Sequence, residues 1–250
     1  MKIRKILTVT LIMILSLLVA CGTDDKESSD EKNLEGKSSA EIQQENLDNL
    51  PENPNDKDEE SEEQEEGIDE KTGEGYIEGL GKMRVIGVGY NDEVGIDGTD
   101  APIKPIKMGS AELDIENLMI FEIEPDEDGK QLYFDDKDKV VAVSIEMTAR
   151  NTKDEDIEFH PNQSILVTDT GEQVEPDIMM MGEVGGEFLG KVEKDGETWW
   201  VLDKEDTNIK NVKMIISSPY DMEEYEDIAE EKRLEFEILT YKEALKRDKK

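Results

Sequence analysis

The 250 residues hold one cysteine and one histidine, so the residue types that most often carry chemistry are scarce. A zinc centre needs several His or Cys ligands and cannot be assembled from Cys21 and His160. No Ser-His-Asp arrangement can be built around His160, which precedes Pro161 and reads as a loop residue. Oxygen ligands are plentiful: Asp92, Glu93, Asp97 and Asp100 share the Gly-rich stretch YNDEVGIDGTDAP, and clustered carboxylates of this kind suit calcium. Their spacing is not that of a twelve-residue calcium loop, and no bidentate Glu closes it. Asp135, Asp136 and Asp138 form a second acidic cluster, equally weak as a ligand set. Both read first as solvated turns, with calcium binding as the alternative. Paired acids for glycoside cleavage carry no signal here, because acids are everywhere and a cleft is required. Met179-Met180-Met181, followed by Gly182, Gly185 and Gly186, is a different kind of candidate. Methionine suits adaptable binding surfaces. Trp199 and Trp200 must point to opposite faces of a strand. One indole is therefore expected in the core and the other outside or under a loop. With Phe188 and the three methionines, the outer one could form a patch for a partner.

Charge narrows the partners. With 29 Lys+Arg against 65 Asp+Glu, the formal net charge is -36. Affinity for a phosphate backbone comes from Lys and Arg displacing counterions, so nucleic acid is excluded as a partner. An anionic membrane surface repels the chain for the same reason. Cationic partners remain open, and simple solubility is the plainer reading.

The elements that position these residues begin with an export signal. Lys2, Arg4 and Lys5 precede an uncharged apolar run from Ile6 to Leu18, and small residues follow. This is the layout of a secretory signal, too short for an ordinary membrane span. From Gly22 to about Glu74 the chain is acidic, lacks aromatic residues and contains Pro51 and Pro54. Such a stretch cannot bury enough apolar area to offset its conformational entropy, and a disordered tether is expected. About 175 residues remain, enough for one core without a disulfide.

From Tyr76 onward the pattern is mostly period two. Met83–Tyr90 reads as a strand. Leu113, Ile115, Met119, Phe121 and Ile123 are expected on one face of another. The clearest strand is Lys139–Asn151, with Val141, Val143, Ile145, Met147 and Ala149 inward and Ala142, Ser144, Glu146, Thr148 and Arg150 outward on a wet face. Ser164–Thr168 is a strand. Phe188–Val192 and Thr198–Leu202 flank Lys194-Asp195-Gly196 and read as a hairpin. Val212, Met214 and Ile216 alternate, as do Leu234, Phe236 and Ile238. Asp221–Arg233 is the one helical candidate, or else a charged loop. Many short strands and little helix indicate an all-β sandwich or barrel.

Two resemblances sharpen this. Leu18-Val19-Ala20-Cys21 resembles a bacterial lipobox, which implies cleavage before Cys21 and a lipid on its thiol. Two acyl chains matter, because each buried methylene contributes about 0.8 kcal/mol and a single chain binds only marginally. VVAVSIEMTARNTKDEDIEF (Val140–Phe159), SILVTDTGEQVEP (Ser164–Pro176) and GGEFLGKVEKDGETWWVL (Gly185–Leu202) resemble the telokin-like, immunoglobulin-like domain found in Gram-positive lipoproteins. The matching positions are Asn151, Gly171, Gly186 and Gly190. That resemblance implies an immunoglobulin-like β-sandwich without agreed catalytic residues. The expected organisation is a signal at 1–20, a tether at 21–75, a sandwich at 76–240 and a polar tail at 241–250. The expected role is a membrane-anchored, extracytoplasmic, non-catalytic module. It needs no cofactor and binds an unknown protein or cell-wall partner. A calcium-binding surface protein is the alternative, and a cell-wall hydrolase ranks third.

Overall fold

In the computed structural model, residues 66–205 and 207–248 are described. The signal and most of the tether expected for residues 1–75 lie outside the described residues. The strands are β1 (Gly67–Ile68), β2 (Glu74–Ile77), β3 (Gly81–Tyr90), β4 (Ile106–Met108), β5 (Ala111–Glu124), β6 (Val140–Asn151) and β7 (Ile157–Phe159). They continue as β8 (Ile165–Thr168), β9 (Gln173–Val174), β10 (Gly186–Phe188), β11 (Glu193–Val201), β12 (Asn211–Ile216), β13 (Tyr220–Asp221) and β14 (Lys232–Thr240). One antiparallel sheet runs β11-β6-β5-β3-β14-β12-β8-β9, with β2 also on β3, β1 on β2 and β4 on β5. A second sheet pairs β10, β7 and β13. The fold is therefore all-β in its main mass.

The large sheet curls. Val141, Val143, Ile145, Met147 and Ala149 of β6 share one buried cluster with Leu166 of β8, Trp200 of β11, Val212 and Met214 of β12, and Leu234 and Phe236 of β14. Ile157, Phe159 and Phe188 of the small sheet join the same cluster. The two ends of the strand order are bridged by side chains. The Trp200 indole Nε1–H donates to the Ser164 carbonyl at 2.8 Å. Glu172 Oε1 accepts from the Asp203 N–H at 2.6 Å. Close approach inside the curl is reserved by Gly87, where a Cβ would sit 2.7 Å from the Ile238 side chain.

A second, smaller core covers the opposite face of the same sheet. It joins Met83, Val85, Phe121, Ile123, Phe134, Val140, Ala142 and Trp199. The expected single face of β5 is thus corrected. Leu113, Ile115, Leu118 and Ile120 point into the curl, while Met119, Phe121 and Ile123 point out of it. The cause is a β-bulge: the β5–β6 register shifts between Ile115 and Asn117, leaving Glu116 as the extra residue. One added residue inverts every later side chain on a period-two strand. The expected wet face of β6 is wet only at its far end, because Ala142 and Ser144 are buried.

Other expectations change as well. Lys194-Asp195-Gly196 is no turn. It lies inside β11, which pairs with β6 from Glu193 to Val201. Phe188 belongs to the other sheet, opposite Ile157. Asp221–Arg233 forms no helix and instead runs from β13 through turns to β14. Among the described residues the α-helices are α1 (Glu127–Leu132) and α2 (Tyr241–Arg247). Asp126 caps α1 by accepting from the Gly129 N–H. Thr240 and Glu243 form a capping box on α2. The expected polar tail is thereby docked, with Ala244 buried and the Arg247 guanidinium 4.2 Å from the Tyr90 ring centroid.

Candidate functional site

Beyond the second core, the outer face of β5, β6 and β11 becomes a polar platform. Register fixes its rows. Trp199, Ser144 and Met119 form one row, and Glu197, Glu146 and Asn117 the next. Asp195, Thr148 and Asp114 follow, then Glu193, Arg150 and Glu112. The last rows are a conventional ion-pair lattice. Arg150 donates to Asp114 at 2.6 Å and to Glu193 at 2.9 Å, and these two carboxylates push its guanidinium pKa up.

The Glu197–Glu146 row is different, because two acids stand directly opposite on adjacent strands. Like charges in that position destabilise a sheet. Asn117 Nδ2 donates to Glu146 Oε2 at 2.5 Å, and Ser144 Oγ donates to Glu197 Oε1. The Glu116 carboxylate, thrown out by the bulge, accepts from Thr148 Oγ1 at 2.7 Å. Burial, then Glu116 and Glu197, push the Glu146 carboxyl up to about 7. Burial also raises Glu197, against the opposing pull of bonds from Ser144 and Trp199. Sequence alternation placed Glu146 outward, yet Glu197 was hidden by the supposed hairpin. Continuing the period-two pattern through KDGETWW was the signal that could have paired them.

The expected patch is divided. Trp200 and Phe188 are fully buried in the curl. Trp199, 8% exposed, stacks on Phe121 at 5.1 Å in the second core. Neither indole faces outward. Met180 packs against that second core, whereas Met179 is 68% and Ile178 83% exposed. Asp177 caps this short 3-10 turn through the Met179 N–H, and its own N–H donates to the Trp199 carbonyl at 2.9 Å. The 177–182 strap thus lies along the free edge of β11. At Gly182 a Cβ would sit 2.5 Å from the Glu197 carbonyl oxygen, so only glycine fits. Met181 is half-buried at the end of the strap.

His160 contacts Glu158 at 2.7 Å through Nε2 and Gln163 at 3.2 Å through Nδ1. Both ring nitrogens are engaged by side chains. Tyr220 also donates to Glu158, and that bond lowers the Glu158 pKa most. In the acidic loop, Glu93 pairs with Lys232 and Asp92 lies 3.8 Å from Arg247. Asp97 accepts from the Thr99 N–H at 2.8 Å, an ordinary turn bond. Lys130 pairs with Asp138 at 2.7 Å. Asp135 and Asp136 have positive φ, of 50° and 60°. Among the described residues, no group of three or more His, Cys, Asp or Glu is placed to hold a metal ion. Among the same residues, no helix is long and apolar enough to cross a membrane. Cys21 lies outside the described residues.

No protein-family model matches the chain. The uncharacterized SPbeta prophage-derived lipoprotein YonS of Bacillus subtilis is 31% identical to it over 81 residues, which are 31% of this chain. Those residues cover 40% of YonS, so the match spans less than half of that relative. A functionally unknown protein of Listeria monocytogenes overlays with a TM-score of 0.41 and 10% identity, over 54% of this chain and 80% of its own. The ycdA protein of Bacillus subtilis overlays at 0.39 and 10% identity, over 55% of this chain and 39% of its own. The yjhA protein of the same organism overlays at 0.37 and 16% identity, over 52% of this chain and 94% of its own.

Proposed function

We propose that this chain is a lipoprotein held at the outer face of the cytoplasmic membrane through lipid on Cys21, and that its β domain is a non-catalytic interaction or ligand-binding module. The observation that carries the reading is the coincidence at Leu18-Val19-Ala20-Cys21 of a basic start, a short apolar run, small residues and the only cysteine. The partial kinship with YonS, itself named a lipoprotein, supports the anchor. Arg150, Glu158, His160 and Glu93 are each engaged in hydrogen bonds or ion pairs within the fold, which supports a scaffold reading. An immunoglobulin-like kinship is proposed at the finer level, supported by the small sheet packing Ile157, Phe159 and Phe188 onto the large sheet's inner face.

The candidate contact surface shrinks to the exposed end of the strap, Ile178 and Met179. Surface shaving of intact cells with protease is the test of placement. Cleavage of the chain in intact cells, and its release from the membrane fraction by Cys21→Ser, are expected. Full protection from protease in intact cells overturns the reading. Co-purification with cell-wall extract, compared between the native chain and Ile178→Ser/Met179→Ser, tests the contact surface. Equal recovery of every co-purifying species refutes it.

A further inference from the structure

We propose that Glu146 and Glu197 form a proton-dependent clasp between the edge strand β11 and its neighbour β6. With a proton on at least one carboxyl, the pair holds β11 and the Asp177–Gly182 strap in place; with both ionised, it loosens them. The inference concerns the fold's response to pH and stands independently of the lipid on Cys21.

The geometry begins with register. Glu197 and Glu146 are direct cross-strand partners, and β11 pairs with no strand other than β6. On its other side β11 is tied only by the strap, through the Asp177–Trp199 backbone bond and the Gly182 N–H to Thr198 Oγ1, and segments with few such contacts open at low cost. A charge pair there acts on the weakest strand of the sheet.

Among the described residues, no cation pairs with either acid, and the charges that act on Glu146 are all acidic. From β5, Glu146 faces Asn117 and Glu116, with Asp114 beyond them. From β6 it is flanked by Ser144 and Thr148. From β11 it faces Glu197, with Asp195 and Trp199 on either side. Met180 of the strap packs on the second core, and the Glu183 backbone lies against Gly196 of β11. Arg150, two rows along β6, is committed to Asp114 and Glu193. Lys194 of β11 is likewise held: its Nζ donates to the Gly185 carbonyl and lies over the Phe188 ring.

The two acids also have different partners. Glu197 accepts from the Ser144 hydroxyl and from Trp199, and Glu146 accepts from the Asn117 amide. Burial pushes both carboxyls above their ordinary range, and at Glu146 the neighbouring charges of Glu116 and Glu197 add to the rise. The folded state therefore binds protons more tightly than the unfolded chain. Stability from the pair is complete below the ordinary carboxyl range and is lost as pH rises towards about 7, the value for Glu146.

Mechanical transmission follows the backbone. The Asp177 N–H bonds the Trp199 carbonyl, and Gly182 lies against the Glu197 backbone. Movement of β11 at Glu197 therefore moves the strap that displays Ile178 and Met179.

Hydrogen exchange on the full chain, corrected for intrinsic pH dependence, tests this. Between pH 5.5 and 8, protection of residues 193–201 and 177–182 is expected to fall about thirtyfold, the part of the Glu146 shift that lies between pH 5.5 and about 7. In Glu146→Gln the fall is expected to disappear and in Glu197→Gln to shrink, because burial and Glu116 still raise Glu146 there, while residues 212–216 behave alike in all three chains. The same fall in wild type and both variants overturns the proposal. If a variant does not fold, carbon-13 titration of the Glu146 and Glu197 carboxyls in the unaltered chain decides. One step above pH 6 supports the clasp, and two steps near 4.5 overturn it.

Discussion

Trp200 holds the curl closed, so its truncation should cost far more than the exposed position once expected for an indole would suggest. Its side chain is fully buried among the inner cluster, and its Nε1–H satisfies the Ser164 carbonyl at 2.8 Å. Trp→Ala in a packed core costs about 3–5 kcal/mol, the transfer loss plus the cavity. For a domain of this size each kcal/mol moves the midpoint by about 2–4 °C, so Trp200→Ala should lower Tm by about 6–20 °C. Trp200→Phe keeps much of the volume but orphans Ser164, at about 1–3 kcal/mol. Thermal unfolding followed by far-UV circular dichroism measures both. Trp199→Ala is the control: it removes a stacked ring from the smaller core, where the pairing with Phe121 adds about 0.5–1.5 kcal/mol to the transfer loss. If Trp200→Ala shifts Tm by less than about 3 °C, the bridge between β11 and β8 is not what closes the sheet. A related consequence is practical. Loss of binding in either Trp variant would report unfolding and not a lost contact.

Other outcomes follow from single residues. Asn151, 3% exposed, donates to the carbonyls of Glu155 and Gly190 and accepts from the Lys153 N–H. Asn151→Ala should therefore cost about 2–4 kcal/mol at roughly 1 kcal/mol per bond, read as a lowered urea midpoint at unchanged slope. A cost below about 0.5 kcal/mol would mean that these bonds do not pin the loops. Gly182→Ala places a Cβ 2.5 Å from the Glu197 carbonyl and should detach the strap. The check is protease cleavage near Met179, rising while the global midpoint barely moves. Arg150→Met removes the cation from three carboxylates, Glu112, Asp114 and Glu193. Because side chains here are partly exposed, a loss of only about 1 kcal/mol is expected, shrinking further at high salt.

Much of the fold was legible where one residue type repeated at a fixed period. The inward series from Val141 to Ala149 survives intact in the inner core. The series in β5 did not, because Glu116 is an ordinary residue in sequence and only pairing against β6 reveals it as surplus. Lys194-Asp195-Gly196 carries turn chemistry, yet tertiary pairing along β6 overrides that preference. The supposed helix at 221–233 shows the opposite limit: Met222, Tyr225, Ile228 and Ala229 match helical spacing, but the segment is stitched to Pro219 and Asp221 by turn bonds instead. The platform was half legible. Alternation exposed Glu146, while its partner Glu197 became visible only with the register of an edge strand. The patch failed for a related reason: strand alternation separates Trp199 from Trp200, but both faces of this sheet are covered.

Placement rests on the lipid, and intact-mass measurement of the chain purified from membranes addresses it most directly. The account predicts a polypeptide beginning at Cys21, heavier than its sequence by a diacylglyceryl group with or without a further acyl chain. A polypeptide that still begins at Met1, with an unmodified thiol, would contradict it.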